Sequence, residues 1–336
     1  MNNPQPSPNP QHEGNNSGLL NAFTLNGQGG GNALEWEHIR DWHKEGAPLW
    51  VHLDRKSRKA QSWLRHDTGL SPVICNALLA EETRPRAQVF EDGMLVILRG
   101  VNLNPGEQPD DMISVRVWIE ANRIITLRAP KLMAVSDVRD SLNSGRGPAS
   151  PMGVLVSIIE NLGHRMAPVV ANLDELTDQV EESMLEDPDT SLRLNLVNIR
   201  RQAIALRRYL APQREAISYL IGSQAPWIQA AQKAILQECR DAATRYVEDL
   251  DSIRERSSIV HEELSARMSE QMNRTMFLLS IVAGIFLPLG FVTGLLGINV
   301  GGMPGVDNPY AFGIVCLLLI AMGLFGVWIF RRMRLF

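Results

Sequence analysis

MFLLSIVAGIFLPLGFVTGLL, residues 276–296, and AFGIVCLLLIAMGLFGVWIF, residues 311–330, decide the architecture of this chain. Neither stretch contains Asp, Glu, His, Lys or Arg. Each is about 20 residues long, which at a rise of roughly 1.5 Å per residue crosses a hydrocarbon core of about 30 Å. The competing reading, a pair of core helices in a soluble protein, requires a large polar body wrapped around two uncharged helices joined by a short loop. The expectation is therefore two transmembrane helices, 276–299 and 311–330, joined by a loop over 300–310.

Basic residues set the orientation. Arg331, Arg332 and Arg334 follow the second span and Arg267 and Arg274 precede the first, whereas the loop holds neither Lys nor Arg. The excess of positive charge stays in the cytoplasm, so both termini are expected there, with the loop outside and a basic tail over 331–336. The second span, built almost entirely of Leu, Ile, Phe, Val, Gly and Ala, is expected to face lipid.

Outward from the spans the chain changes character. Its 336 residues are 45% apolar and carry a net charge of -4, which argues against nucleic acid as a partner. Three dispersed cysteines, Cys75, Cys239 and Cys316, offer neither a disulfide framework nor a paired-cysteine metal site. Residues 1–18, rich in Asn, Pro and Gln and without a basic-then-apolar leader, are expected to be disordered. Residues 19–150 alternate strand-like runs at 49–53, 93–101, 112–120 and 123–127 with helical runs at 34–44, 57–66 and 72–82. This is the pattern of a small α/β domain. Ser71-Pro72 has the chemistry of a helix start, and Gly69 that of the preceding stop. The glycine run Gly27–Gly31 lacks the last glycine of a dinucleotide fingerprint, since Asn32 stands there, and a turn accounts for it.

From Ser150-Pro151 onward, residues 151–275 are expected to form long helices broken near 187–189 and 222–226, with proline kinks at Pro168 and Pro212. The last helix, from about Trp227, meets no strong breaker before the membrane. If continuous to Gly297 it is on the order of 100 Å long. Leu236, Cys239, Ala243, Tyr246, Leu250 and Ile253 make an apolar seam along it, spaced in threes and fours. His164 and Cys239 are read as packing residues.

An acidic run including Asp174, Glu175, Asp178, Glu181 and Glu182 is either a solvated face or, repeated around a ring of subunits, a means of concentrating cations. Glu238, His261 and Glu262 along the last helix could similarly be an exposed, salt-bridged face or hold a regulatory cation between subunits. No nucleophile and base, cofactor fingerprint or ligand cluster points to an enzyme, and no cofactor is implied.

Two spans cannot enclose a passage for a cation, so several copies must assemble, most simply with cyclic symmetry. The first span suits the axis. It has Asn273 at its inner end, Thr293 and Asn299 at its outer end, and Gly284, Gly290, Gly294 and Gly297 for close approach. Gly290 and Gly294 also form a GxxxG pair, which by itself more often marks a packing contact.

Gln271-Met272-Asn273-Arg274, Ile285-Phe286-Leu287-Pro288-Leu289 and Thr293-Gly294-Leu295-Leu296-Gly297-Ile298-Asn299 resemble the CorA family of divalent-cation transporters. The resemblance implies a homopentamer with an α/β cytoplasmic funnel, a long helical stalk that becomes the pore-lining span, and an ion entrance motif Gly-Met-Asn at the outer mouth. Here the motif is Gly297-Ile298-Asn299. Ile298 replaces the methionine, and Gly305 stands where magnesium-transporting members usually carry a glutamate; both departures are similar to the ZntB branch, associated with zinc.

Carried over by register, the resemblance makes Asn273, Met276, Leu279, Ala283, Leu287, Gly290 and Gly294 pore-lining. Met276, Leu279 and Leu287 would then form apolar rings able to block an ion by dewetting, while plain interhelical packing remains their alternative. Asn299 would meet a hydrated cation through its water shell, with Asp307 the acidic residue of the loop. Oxygen ligands of this kind suit hard ions, whereas Zn2+ prefers nitrogen and sulfur. The resemblance nonetheless implies transport of Zn2+, with Cd2+, Ni2+ and Co2+ as further ions, across a bacterial inner membrane and with proton coupling; uptake is expected because a divalent ion gains roughly twice 2.3 kcal/mol per 100 mV on entering a negative cytosol. A magnesium, cobalt or nickel channel of the same architecture and a membrane-anchored structural or signalling protein are the alternatives.

Overall fold

The structure is a computed structural model, and it describes residues 18–186, 190–298 and 308–332. Of the expected disordered tail over 1–18, residues 1–17 lie outside the described residues, as do the helix break at 187–189, Asn299 and Asp307, whereas Gly18 corrects the expectation: it is buried and its carbonyl accepts the N–H of Asp54 at 2.9 Å. Two compact units divide the chain, Met1–Val260 and His261–Phe336.

A seven-stranded sheet organises the first unit. Its strands are β1 (Leu19–Leu25), β2 (Gly31–Ala33), β3 (Leu49–Asp54), β4 (Arg86–Val89), β5 (Met94–Gly100), β6 (Ile113–Ile119) and β7 (Arg123–Arg128), in the order β2-β1-β3-β7-β6-β5-β4. Only β3 and β7 pair in parallel, with Leu49 opposite Arg123 and Leu53 opposite Leu127; the other neighbours are antiparallel. Alternation along the central strands sends Val96, Leu98, Val115 and Val117 to one face and Leu95, Ile97, Trp118 and Ile125 to the other. Both faces are covered, so these strands are apolar almost throughout.

On one face lie α1 (Trp36–Arg40), α2 (Arg58–His66) and α3 (Pro72–Leu79), contributing Trp36, Leu64 and Leu78 to the core. The opposite face is covered by α4 (Met133–Asn143), α5 (Pro151–Glu186) and the end of α6 (Thr190–Gly222), through Val138, Leu155, Leu162 and Leu220. Ser57 and Ser71 cap α2 and α3 by accepting the N–H groups of Ala60 and Ile74. Gly69 adopts a left-handed φ of 73°, just past the end of α2 at His66. In the β1–β2 hairpin, Asn26 Oδ1 accepts from the N–H of Gln28 at 2.8 Å and of Gly30 at 2.9 Å. Gly29, at φ 93°, has no room for a side chain, since a Cβ there would come within 3.0 Å of the carbonyls of Gly145 and Gly147. The glycine run is a hairpin turn.

The differences from expectation have local causes. β4 is an exposed edge of sequence RAQV with no apolar alternation, and β1 runs LLNAFTL with no regular buried period. The three-residue β2 is equally featureless. Neither Leu132, which precedes α4, nor Glu35, which precedes α1, supplies a side-chain cap, which leaves α4 unannounced, and α1 is much shorter than 34–44. α3 stops at Leu79 because Ala80 turns extended at ψ 141°. α5 and α6 continue through Pro168 and Pro212.

The remaining helices are α7 (Ala230–Leu296), a single helix of 67 residues shared by the two units, and α8 (Ala311–Arg332). α7 begins three residues later than Trp227. Its seam is buried as expected at Leu236, Ala243, Leu250 and Ile253, and Cys239 packs half-buried against the core; Val247 is buried where Tyr246 is only half so. His164 corrects its expectation: it lies exposed on α5 between the buried Leu162 and Met166, because the helix turns that position outward.

Candidate ion pathway

In the second unit, α7 and α8 are both long and apolar enough to cross a membrane, and almost none of their surface is buried. The little that is covered has a pattern. Phe277, Ile281, Ile285, Leu289 and Val292 are the shielded positions of the α7 span, with Ile281 at 7% exposure the most buried, and they repeat in threes and fours on one face. Two of the close approaches on that side are glycines: a Cβ on Gly284 would lie 3.0 Å from the Phe330 ring, and one on Gly326 would lie 3.6 Å from Ile285. This face packs on α8. Val315, Leu319, Met322 and Gly326 are among the shielded positions of α8, and Phe312, Leu317, Leu324 and Phe325 are open.

Rotating about α7 at roughly 100° per residue, Met276, Leu279, Ala283, Leu287, Gly290 and Gly294 fall on the side opposite Ile281. All six are exposed, Leu287 at 77%, and Asn273 is exposed one turn earlier. Among the described residues a Cβ added at Gly290 or Gly294 would meet nothing within 4 Å, so the GxxxG pair is no packing contact there; Gly284 does that work against Phe330. The open side carries an apolar groove bordered by Ala283, Leu287, Gly290 and Phe291.

Polar groups of this segment are satisfied inside their own helix. The hydroxyls of Thr275, Ser280 and Thr293 donate to the carbonyls of Gln271, Met276 and Leu289 at 2.9–3.0 Å. That arrangement suits a medium that offers no water to a hydroxyl. Pro288 has no N–H for the carbonyl of Gly284, so one main-chain acceptor is released in the middle of the span. α7 closes in a turn at Gly297, whose N–H reaches Thr293 O at 2.9 Å, and Ile298 is exposed. Asn299, the last residue of the expected motif, and Asp307 lie outside the described residues.

The acidic run belongs to the first unit and is not simply solvated. Arg256, on α7, donates to Asp174 at 2.9 Å, to Glu181 at 2.7 Å and to Asp178. These carboxylates hold the Arg256 pKa above its ordinary value, Glu181 most strongly and then Asp178, against a small opposing effect of burial. Glu175 and Glu182 remain exposed, with no basic partner among the described residues. Sequence reading missed Arg256, which lies 75 to 82 positions from these partners with no local signal to link them. Glu238 and Glu262 are exposed and His261 is half-buried, while Glu263 pairs with Arg267 at 2.8 Å. Among the described residues no group of three or more His, Cys, Asp or Glu is placed to hold a metal.

Burial first, then Glu160 and Glu238, push the Cys239 thiol up to about 12. Deeper in the domain, His52 is held neutral. Its burial, with Arg128 nearby, lowers its pKa from 6.5 to about 3. Arg128 Nε donates to His52 Nε2 at 3.1 Å, which leaves the proton on Nδ1, 2.8 Å from Thr126 Oγ1. Trp50 Nε1 donates to the same hydroxyl at 2.9 Å, and that hydroxyl donates to Val51 O. Every polar atom of this knot between β3 and β7 has a partner.

Comparison with known proteins agrees with this architecture. Residues 45–332 match the family described as CorA-like Mg2+ transporter protein. The chain is 43% identical over 325 residues to the divalent cation transporter CmaX of Pseudomonas aeruginosa, covering 96% of this chain and 98% of that one. It is 36% identical over 318 residues to the zinc transport protein ZntB of Pectobacterium carotovorum, covering 95% and 96%. A solved structure of full-length CmaX superposes with a TM-score of 0.84 at 42% identity, over 96% of this chain and 99% of that one. With an α/β domain, a helix running on into an apolar span and a second apolar helix at the C-terminus, the chain belongs to the CorA-like Mg2+ transporter family.

Proposed function

We propose that this chain is one subunit of a homopentameric divalent-cation transporter of the bacterial inner membrane, with both termini cytoplasmic, and that it takes up Zn2+. The observation that carries the reading is the open face of α7 opposite Ile281. One face of the span is spent on α8, and the face bearing Met276, Leu279, Ala283, Leu287, Gly290 and Gly294 is left for copies of itself around an axis. In this reading the cytoplasmic funnel covers residues 19–150 and the stalk 151–275.

The chemistry follows from what lines that face. Aliphatic side chains and glycines cannot replace the water shell of a divalent ion, so the ion crosses with water still attached, and the apolar rings at Met276, Leu279 and Leu287 stop it by dewetting when they close. Asn299 and the carbonyl of Gly297 receive the hydrated ion at the outer mouth. Glu175 and Glu182, without a basic partner among the described residues, supply negative potential on the cytoplasmic side. Entry into a negative cytosol releases about 2.3 kcal/mol per charge per 100 mV, roughly twice that for a divalent ion, so uptake needs no other fuel. The spans at 276–296 and 311–330 carry no Asp, Glu or His. Proton coupling therefore falls to groups beyond the spans, Asp307 or His261 among them.

ZntB relatives support Zn2+, with Cd2+, Ni2+ and Co2+ as further ions. Mg2+ is the second reading, favoured by the family's description and by an entrance built of oxygen groups, which suit hard ions. The test is uptake of labelled Zn2+ and Mg2+ by purified protein in liposomes, with and without a pH gradient. Asn299→Ala is expected to abolish most flux while the pentamer still assembles. Flux unaffected by Asn299→Ala, or a monomer in the bilayer, would sink the proposal; Mg2+ outcompeting Zn2+ would replace the ion and keep the pathway.

A further inference from the structure

A polar recess of about 400 Å³ lies where the strand-connecting segment after α3 meets β5 and the middle of α6, lined by Glu82, Thr83, Arg84, Arg99, Arg208 and Tyr209. Three guanidinium groups therefore border one small space with a single carboxylate. Arg99 stacks on the Tyr209 ring at 4.1 Å and Arg208 lies 5.7 Å from the same ring. Arg99 spends its two terminal nitrogens on main-chain carbonyls, Met112 O at 2.7 Å and Thr83 O at 3.0 Å. Its Nε and the hydroxyl of Thr83 are buried without a hydrogen-bond partner.

Behind the recess Arg116, only 1% exposed, donates to Ala80 O and Glu81 O at 2.8 and 3.2 Å, and its Nε is likewise unpartnered. Among the described residues, Arg84, Arg99, Arg116 and Arg208 make no ion pair with a carboxylate. Burial, Arg55 and Arg99 push the Arg116 pKa down to about 10, and burial lowers that of Arg99, with Arg208 adding to the effect and Glu82 opposing it. Uncompensated buried positive charge is costly, and a native protein holds it where something negative arrives.

We propose that this recess binds a phosphate group, with the forks of Arg84 and Arg208 taking its oxygens. Guanidinium groups bordering one space suit tetrahedral oxyanions better than halides, because each fork can engage two oxygens. The volume exceeds what one phosphate fills, which favours a phosphate carried on a larger molecule, such as a nucleotide or other phosphorylated metabolite. All of its lining residues belong to the first unit.

The test is calorimetric titration of the full-length protein, in a maltoside detergent without phosphate, with inorganic phosphate, pyrophosphate and ADP. Saturable binding is expected, together with a thermal midpoint that rises with ligand. Arg84 and Arg208 are exposed, so the double variant R84A/R208A should fold as before and bind at least about tenfold more weakly. Tighter binding of ADP than of inorganic phosphate assigns the site to a metabolite, and the reverse order to free phosphate; either supports the proposal. Saturation by none of the three, or equal affinity in the double variant, overturns it. Should that variant misfold, Arg84→Gln and Arg208→Gln singly decide the matter, since weaker binding in either supports the site and unchanged binding in both refutes it.

Discussion

The two units of this chain bury their apolar side chains in opposite senses. In residues 18–260, Trp50, Leu98, Trp118 and Ile125 are at 0% exposure, and each strand face has helices laid on it. In residues 261–332, Phe312 is 82% and Leu287 77% exposed, and among the described span residues Ile281 alone is buried. The first unit contains its own solvent-excluding partners. The second consists of the same kinds of side chain with, among the described residues, one neighbouring helix for a partner, so it lacks what the sheet and its helices supply above.

The sharpest way to break that contrast is to delete the same group on each side of it. Leu98→Ala, in the sheet core, is expected to destabilise the cytoplasmic domain by about 2–5 kcal/mol, read as a fall in the midpoint of chemical unfolding. Leu287→Ala should leave that midpoint where it is and change ion flux or pentamer stability instead. An equal fall in domain stability from both would show that the span is buried against the first unit.

A second difference is that the domain buries an ionisable ring, whereas the spans hold no Asp, Glu, His, Lys or Arg. His52 is neutral in the folded domain down to about pH 3, whereas the unfolded chain binds its proton below 6.5. The unfolded state then holds more protons in that window, so stability falls as pH drops from about 6.5, by up to about 1.4 kcal/mol for each pH unit. Replacing His52 by Gln should remove that part of the slope, measured as the difference in unfolding midpoint between about pH 6.5 and pH 4.5. If the slope is unchanged, His52 is not held neutral by the knot around Thr126.

The smallest effect concerns the ion pairs of Arg256, whose partners are 35–63% exposed on their side chains. Screening by water keeps each such pair below about 1 kcal/mol, so Arg256→Ala is expected to cost the domain only about 1 kcal/mol. Its clearer signature is electrostatic. With Asp174, Asp178 and Glu181 released, cation flux at low ionic strength should rise slightly if the acidic run concentrates ions, and the rise should vanish in high salt.

Legibility followed the range of the interactions. Strands β3, β5, β6 and β7 and helices α2 and α3 were readable because burial on both faces or a capping serine stamps a local pattern on the residues. β4 and α4 were not, one being a polar edge and the other preceded by Leu132, which supplies no side-chain cap. For the pathway, the sequence named the stripe from Met276 to Gly294 only by resemblance; its openness became visible once α8 occupied the opposite face. The counterion Arg256 and the arginine-lined recess were invisible beforehand, since their members are brought together from positions far apart.

Sequence alone determined that two uncharged segments near the C-terminus are long enough to cross a bilayer, and that an α/β domain and long helices precede them, because hydrophobic length and periodicity are properties of neighbouring residues. Tertiary structure decided which side of α7 is free, which acids are neutralised by Arg256 and which arginines are left without a carboxylate. Those depend on where distant parts of the chain come to rest, and no local pattern of side chains encodes that.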